Sequence, residues 1–287
     1  ARRIAPPPGA LAAALVYVVW LNIGSGAGGQ APVFYNLPMA GAALAIARLL
    51  DRPAGARLSR LQGSGALAML LVGIAMQMKY TALFEGLAFG IFLLFIARRE
   101  GLHPRKLFLM GAFWVACALA PTLLALLAYA AMGELDAFMF ANFYSIFYRA
   151  PATSGELPLR LVRITAFVAP LIILGVLGAK REFRKRPSIT YDFVAIWFFV
   201  ACLGVLALGT YFRHYALPLF LPGAVVTATA FGASGPLRRF ALGTLLIAFV
   251  IGQLMLFDVK RMSGSRAMLD RMVASMHRHP GCLFIYN

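Results

Sequence analysis

Acidic residues are scarce in this chain: ten Asp and Glu stand against 27 Lys and Arg in 287 residues, and charged residues of both signs make up only 13%. A soluble domain of this size carries nearer a quarter charged residues, so the composition excludes an ordinary water-soluble globule. Cysteine is also sparse. Cys117 and Cys202 lie inside apolar runs and Cys282 near the end, with no pairing at metal or disulfide spacing, which excludes a disulfide framework and a zinc site of the usual kind. Nucleotide-binding glycine motifs, a nucleophile elbow and a metalloprotease helix are missing too. The N-terminal "ARRIAPPPG" lacks the pattern of a cleaved signal.

What is present is hydrocarbon. Hydrophobic residues form 61% of the chain and the mean hydropathy is +0.80. Apolar runs recur near the roughly 18 to 20 residues that a helix needs to cross about 30 Å of lipid core. The patterning predicts an all-α polytopic membrane protein of about nine transmembrane helices, near 9–27, 32–50, 63–78, 80–97, 107–131, 161–179, 191–211, 215–233 and 240–257. Residues 1–257 form the membrane domain on this reading, and 258–287 begin a small extracytoplasmic α/β domain.

The net charge of +17 resembles a nucleic-acid signal, yet its distribution is topological. One alternate set of connecting segments holds Arg2, Arg3, Arg48, Arg52, Arg57, Arg60, Arg98, Arg99, Arg105, Lys106, Lys180, Arg181, Arg184, Lys185, Arg186, Arg238 and Arg239, seventeen of the 27 basic residues. The other set, before the tail, has only Lys79, Arg149, Arg160, Arg163 and Arg213. The positive-inside rule puts the first set in the cytoplasm, the N-terminus inside and the C-terminal tail outside. The charge then serves orientation, and no nucleic-acid partner is expected.

Two outer segments are substantial. Residues 133–163 read as an interfacial amphipathic helix with Phe138, Tyr144, Phe147 and Tyr148 at headgroup level, followed by a Pro/Ser/Gly turn. In the tail, Met268, Leu269, Met272, Val273 and Met276 share a helical face, and "CLFIY" (282–286) reads as the first strand of an α/β unit. A lone strand leaves its backbone groups unpaired, so the partner strands are expected outside residues 1–287.

Several residues carry candidate chemistry. Arg213, His214 and Tyr215 stand between two apolar runs, ahead of Pro218 and Pro222. They read either as a polar turn at the interface or as a phosphate site, since a guanidinium makes forked bonds to phosphate oxygens. Lys79 and Glu85, six apart, lie near the outer turn between the third and fourth expected helices. An ionisable side chain at membrane depth costs roughly 2.5–3.5 kcal/mol on insertion scales and marks either function or a pairing. Glu134 and Asp136 are the close acidic pair of the outer side and offer either oxygen ligands to a divalent ion or a complement to a helix dipole. Arg149, Arg160 and Arg163 suit anionic headgroups. His277 and His279 flank a turn and read as solvated.

Four stretches resemble the GT-C membrane glycosyltransferases, in particular bacterial protein-O-mannosyltransferases and the lipid A aminoarabinose transferase. These are "MKYTALFEGLAFGIFLLFIARR", "YFRHYALPLFLPGAVV", the aromatic segment 138–148 and "HPGCLFIYN". The resemblance implies transfer of a sugar from a polyprenyl-phosphate donor to an acceptor at the outer face of a bacterial cytoplasmic membrane. It implies Arg213, His214, Tyr215, Lys79, Glu85 and Arg149 as substrate-binding residues, with either no cofactor or a divalent metal ion. The family carries an acidic residue in its first long outer loop, and "GSGAGGQAPV" (24–33) has none. The catalytic carboxylate is therefore expected upstream of Ala1. The alternatives are a lipid or polysaccharide transporter or flippase, which would show symmetric interrupted helices, and a non-catalytic membrane scaffold.

Overall fold

The computed structural model describes residues 1–148, 154–184, 188–262, 270–271 and 273–274. It is 87% helical, without a strand among the described residues. The helices are α1 (Pro7–Ile23), α2 (Ala31–Leu50), α3 (Ala54–Met78), α4 (Ala82–Arg99), α5 (Pro104–Ala131), α6 (Leu135–Met139), α7 (Leu157–Glu182), α8 (Ile189–Leu208), α9 (Leu217–Gly232) and α10 (Pro236–Met262). Proline opens α1, α2, α5, α7 and α9, where its missing N–H costs no intrahelical bond. His103 and Ser188 cap α5 and α8 by accepting from the backbone N–H of Arg105 and Tyr191. Gly209, at φ +69°, stops α8 in a conformation that other residues rarely adopt.

Each of the nine expected apolar stretches overlaps one of these helices. Seven helices among the described residues are long and apolar enough to cross a membrane. The other two long elements are α1, with 17 residues, and α4, which carries Glu85, Arg98 and Arg99. The chain is thus an all-α, multi-pass membrane protein.

Helix α9 is buried along most of its length, packed by α1, α7, α8 and α10. Helices α2, α3, α4 and α5 form a second group, joined to the first where α4 meets α8 and α2 meets α9. Phe89 and Phe92 of α4 and Phe193 and Trp197 of α8 fill that seam, with ring centroids 5.0 to 5.3 Å apart. Helix α5 lies at the periphery and buries only Trp114 and Ala118. Without a hydrophobic drive between helices in lipid, small residues allow backbones to close on one another. A β-carbon on Gly73 of α3 would stand 2.3 Å from the Ala118 carbonyl oxygen of α5.

Contacts between connecting segments define two ends. At the basic end Arg3 pairs with Asp51, Arg57 with Glu100 at 2.5 Å, and Arg181 donates to Ser234 at 2.9 Å. At the opposite end, Lys79 meets Tyr215, Tyr80 meets Phe143, and Arg160 meets Phe212. Segments 1–3 and 51–60 therefore touch, 51–60 touches Glu100, and the 180–184 segment touches Ser234.

The structure corrects several expected boundaries. Helix α3 begins at Ala54, so Arg57 and Arg60 are helical, and α7 begins at Leu157, so Arg160 joins Arg163 in a long apolar helix. The outer amphipathic helix is broken into α6, a π-helical turn at Phe140–Tyr144 and a 3₁₀ turn at Ser145–Tyr148. Asn142 donates to the Phe138 carbonyl at 2.9 Å and Ser145 to the Ala141 carbonyl at 2.8 Å, competing with the backbone ladder. Phe138 is buried, with Tyr129 at 4.7 Å, while Tyr144, Phe147 and Tyr148 are exposed. Arg149, the "CLFIY" strand, His277, His279 and Cys282 lie outside the described residues.

The α3–α5 crossing yields a paired expectation. Gly73→Ala should destabilise by about 1–3 kcal/mol through overpacking. Gly63→Ala in the same helix meets nothing within 4 Å and should be neutral or slightly stabilising. Thermal unfolding in detergent reads both, and equal effects would contradict the close crossing.

Candidate functional site

The described site is built where α3 ends. Lys79 leaves the helix in an extended conformation, and Thr81 starts α4, which places Glu85 one turn inside the bundle. Glu85 is 2% exposed. Its Oε1 accepts from the Tyr35 hydroxyl of α2 at 3.2 Å, and its Oε2 accepts a short bond from Trp197 Nε1 of α8. One carboxylate thereby ties together three helices that are distant in sequence. Both oxygens are satisfied by neutral donors, which answers the penalty of placing an acid in lipid.

Above Glu85 the cleft shared by Lys79, Glu85, Tyr215 and Pro218 has a volume of about 10 Å³. That is no more than roughly one water. The surface over it is different. Between α8 and α9 the chain reverses through Gly209 and through Tyr211, which sits at φ +49°, and then enters a 3₁₀ turn at Arg213–Ala216. A non-glycine residue in that region is uncommon and stores strain of the order of 1–3 kcal/mol.

This reversal assembles a row of three rings between two cations. The Arg160 guanidinium lies 4.2 Å from the Phe212 ring centre, donates to the Thr210 carbonyl at 3.3 Å and is ion-paired with Glu156. Phe212 stacks on His214 at 5.8 Å, with planes 11° apart. His214 meets the edge of Tyr215 at 4.6 Å, and the Lys79 ammonium sits over the Tyr215 ring at 4.6 Å. Segment 135–148 borders the row, because Phe143 packs on Tyr80 at 5.4 Å. Cation–ring contacts of this kind contribute about 0.5–1 kcal/mol when exposed and hold the cations in place.

Of the residues singled out from sequence, Lys79, Glu85, His214 and Tyr215 come together. Arg213 does not join them; it is exposed and turned to the Phe167 ring of α7, at 5.8 Å. Glu134 and Asp136 are exposed at the start of α6, the position that complements a helix dipole. Among the described residues no group of three His, Cys, Asp or Glu is placed to hold a metal ion. Sequence reasoning missed Tyr35 and Trp197, partners 50 and 112 residues from Glu85. Their signal was a hydrogen-bonding ring inside an otherwise apolar run, which normally finds a polar partner when buried. No family model, curated protein or solved structure matches the chain.

The tether is testable through stability. Glu85→Leu would strand the Tyr35 hydroxyl and the Trp197 indole N–H, at about 1–3 kcal/mol each. Glu85→Gln should cost less, because its carbonyl still accepts one bond. A Glu85→Leu protein that melts like the parent in detergent would refute the role of the carboxylate.

Proposed function

We propose that this chain is the membrane-embedded part of a glycosyltransferase, moving a sugar from a polyprenyl-phosphate donor to an acceptor at the outer face of a bacterial cytoplasmic membrane. The observation that carries the reading is the row Arg160–Phe212–His214–Tyr215–Lys79. Cations fixed beside ring faces suit a phosphate attached to a sugar: Lys79 supplies charge-assisted bonds to phosphate oxygens, Arg160, paired with Glu156, bounds the far end of the row, and the rings offer flat apolar faces to the sugar's C–H bonds. The resemblance to the GT-C enzymes in "MKYTALFEGLAFGIFLLFIARR" and "YFRHYALPLFLPGAVV" supports it further, since Lys79 and the His214–Tyr215 pair belong to those stretches.

Nine spans with the N-terminus inside complete the proposal. The basic end then faces the cytoplasm, and the cation–ring row faces outward, where a polyprenyl donor presents its head. Glu85 acts as the tether beneath the row, its oxygens engaged by Tyr35 and Trp197, and the general base is not assigned to it. The transporter reading draws less support, because the cleft under Tyr215 is closed to about 10 Å³.

In the full-length protein, Lys79→Gln should weaken binding of a polyprenyl-phosphate sugar by about ten-fold or more, the worth of one charge-assisted bond. Lys79→Arg should restore part of the affinity, and Tyr215→Ala should lower it by releasing the ammonium from its ring. Equal donor affinity in Lys79→Gln and the parent, measured by titration in detergent, would contradict the proposal.

A further inference from the structure

The basic end carries a feature that the proposed transfer does not use. A groove of about 980 Å³ opens between α4 and α8, near the upper end of small-molecule sites at roughly 300–1,000 Å³. Its lining runs from Ala88 to Arg99 along α4 and from Ile189 to Val200 along the antiparallel α8. At 1.5 Å per residue each wall is roughly 16 Å long, about half of a 30 Å hydrocarbon core. The groove is one leaflet deep.

Its two ends differ in chemistry. The deep part presents Ile91, Phe95, Ile196 and Val200, with Ile91 67% and Phe95 55% exposed. The mouth is lined by Arg57, Glu100, Arg99 and Asp192, and the last two are exposed. Among the described residues neither forms an ion pair, whereas the neighbouring Arg57 is committed to Glu100 and to the carbonyls of Leu50 and Arg52. A cation and an anion of opposite sign therefore face one groove mouth, with a hydrocarbon channel beneath them.

We propose that this groove is a binding site for a zwitterionic glycerophospholipid with a primary ammonium, such as phosphatidylethanolamine. The phosphate bonds to the Arg99 guanidinium, the ammonium donates to the Asp192 carboxylate, and one acyl chain lies between α4 and α8. A quaternary ammonium has no N–H to give Asp192, and a glycerol headgroup leaves that carboxylate uncompensated beside an anionic lipid. The site thus selects by headgroup and requires both charges. It is independent of the donor reading, being at the opposite end of the bundle.

Native mass spectrometry of the purified chain, released from micelles doped with dioleoyl phosphatidylethanolamine, phosphatidylcholine or phosphatidylglycerol, tests this directly. Phosphatidylethanolamine should bind about ten-fold better than either competitor, the worth of one charge-assisted bond. Arg99→Gln should weaken binding of all three lipids, since each carries the phosphate, and Asp192→Asn should abolish the advantage of phosphatidylethanolamine over phosphatidylcholine. Ile196→Trp, which fills the channel and leaves the charges intact, should lower binding of all three lipids. Lipid-free melting points would show that each variant is folded, and Ile91→Trp replaces Ile196→Trp if the latter is not. Equal binding of the three lipids, a preference for phosphatidylglycerol, lipid binding unchanged in Arg99→Gln, or a preference unchanged in Asp192→Asn would overturn the proposal.

Discussion

A carboxylate cannot be left bare where water is excluded, and the arrangement around Glu85 follows from that constraint. The two hydrogen bonds that satisfy it come from α2 and α8, so one polar group fixes the relative position of three helices. Because α4 is held there, the short turn that leads into it sets Lys79 and Tyr80 against Tyr215 and Phe143. Ring packing among Phe89, Phe92, Phe193 and Trp197 extends the same seam away from the cleft. The polar tether selects the register, and the apolar contacts below it supply most of the packing.

The rest of the molecule is organised by its ends. At one end basic segments touch one another, and their arginines are partly neutralised by Asp51 and Glu100. At the other, three cations are set against rings, Lys79 on Tyr215, Arg160 on Phe212 and Arg213 on Phe167, and Arg160 is also paired with Glu156. This difference follows from how few acids the chain has to pair with its bases. Where carboxylates are few, aromatic faces become further partners for positive charge, and a row of such pairs suits an anionic ligand.

The helices were legible because hydropathy reports the solvent directly, and the clustering of basic segments was legible because charge alternates with each apolar run. Helix starts were less so. The charged residues Arg57, Arg60 and Arg160 marked ends in the sequence, whereas the helices run past them, since a long side chain can carry its charge to the interface from inside a helix. The aromatic segment after Gly133 has helical periodicity but lacks a continuous helix, because Asn142 and Ser145 bond to carbonyls within it. Lys79, Glu85, His214 and Tyr215 stood out as polar residues in apolar surroundings. Tyr35, Trp197 and Phe212 did not, because rings are common in membrane helices and their roles depend on partners far away in the chain.

The central claim is that the cation–ring row and the basic loops face opposite sides of a membrane. Single cysteines at Ser154 and Arg184, in a background with Cys117, Cys202 and Cys282 replaced, report it most directly when labelled in oriented membrane vesicles with an impermeant maleimide. The account predicts that Ser154→Cys reacts from the outer side only and Arg184→Cys only after the inner side is exposed. Labelling of both from the same side would contradict it.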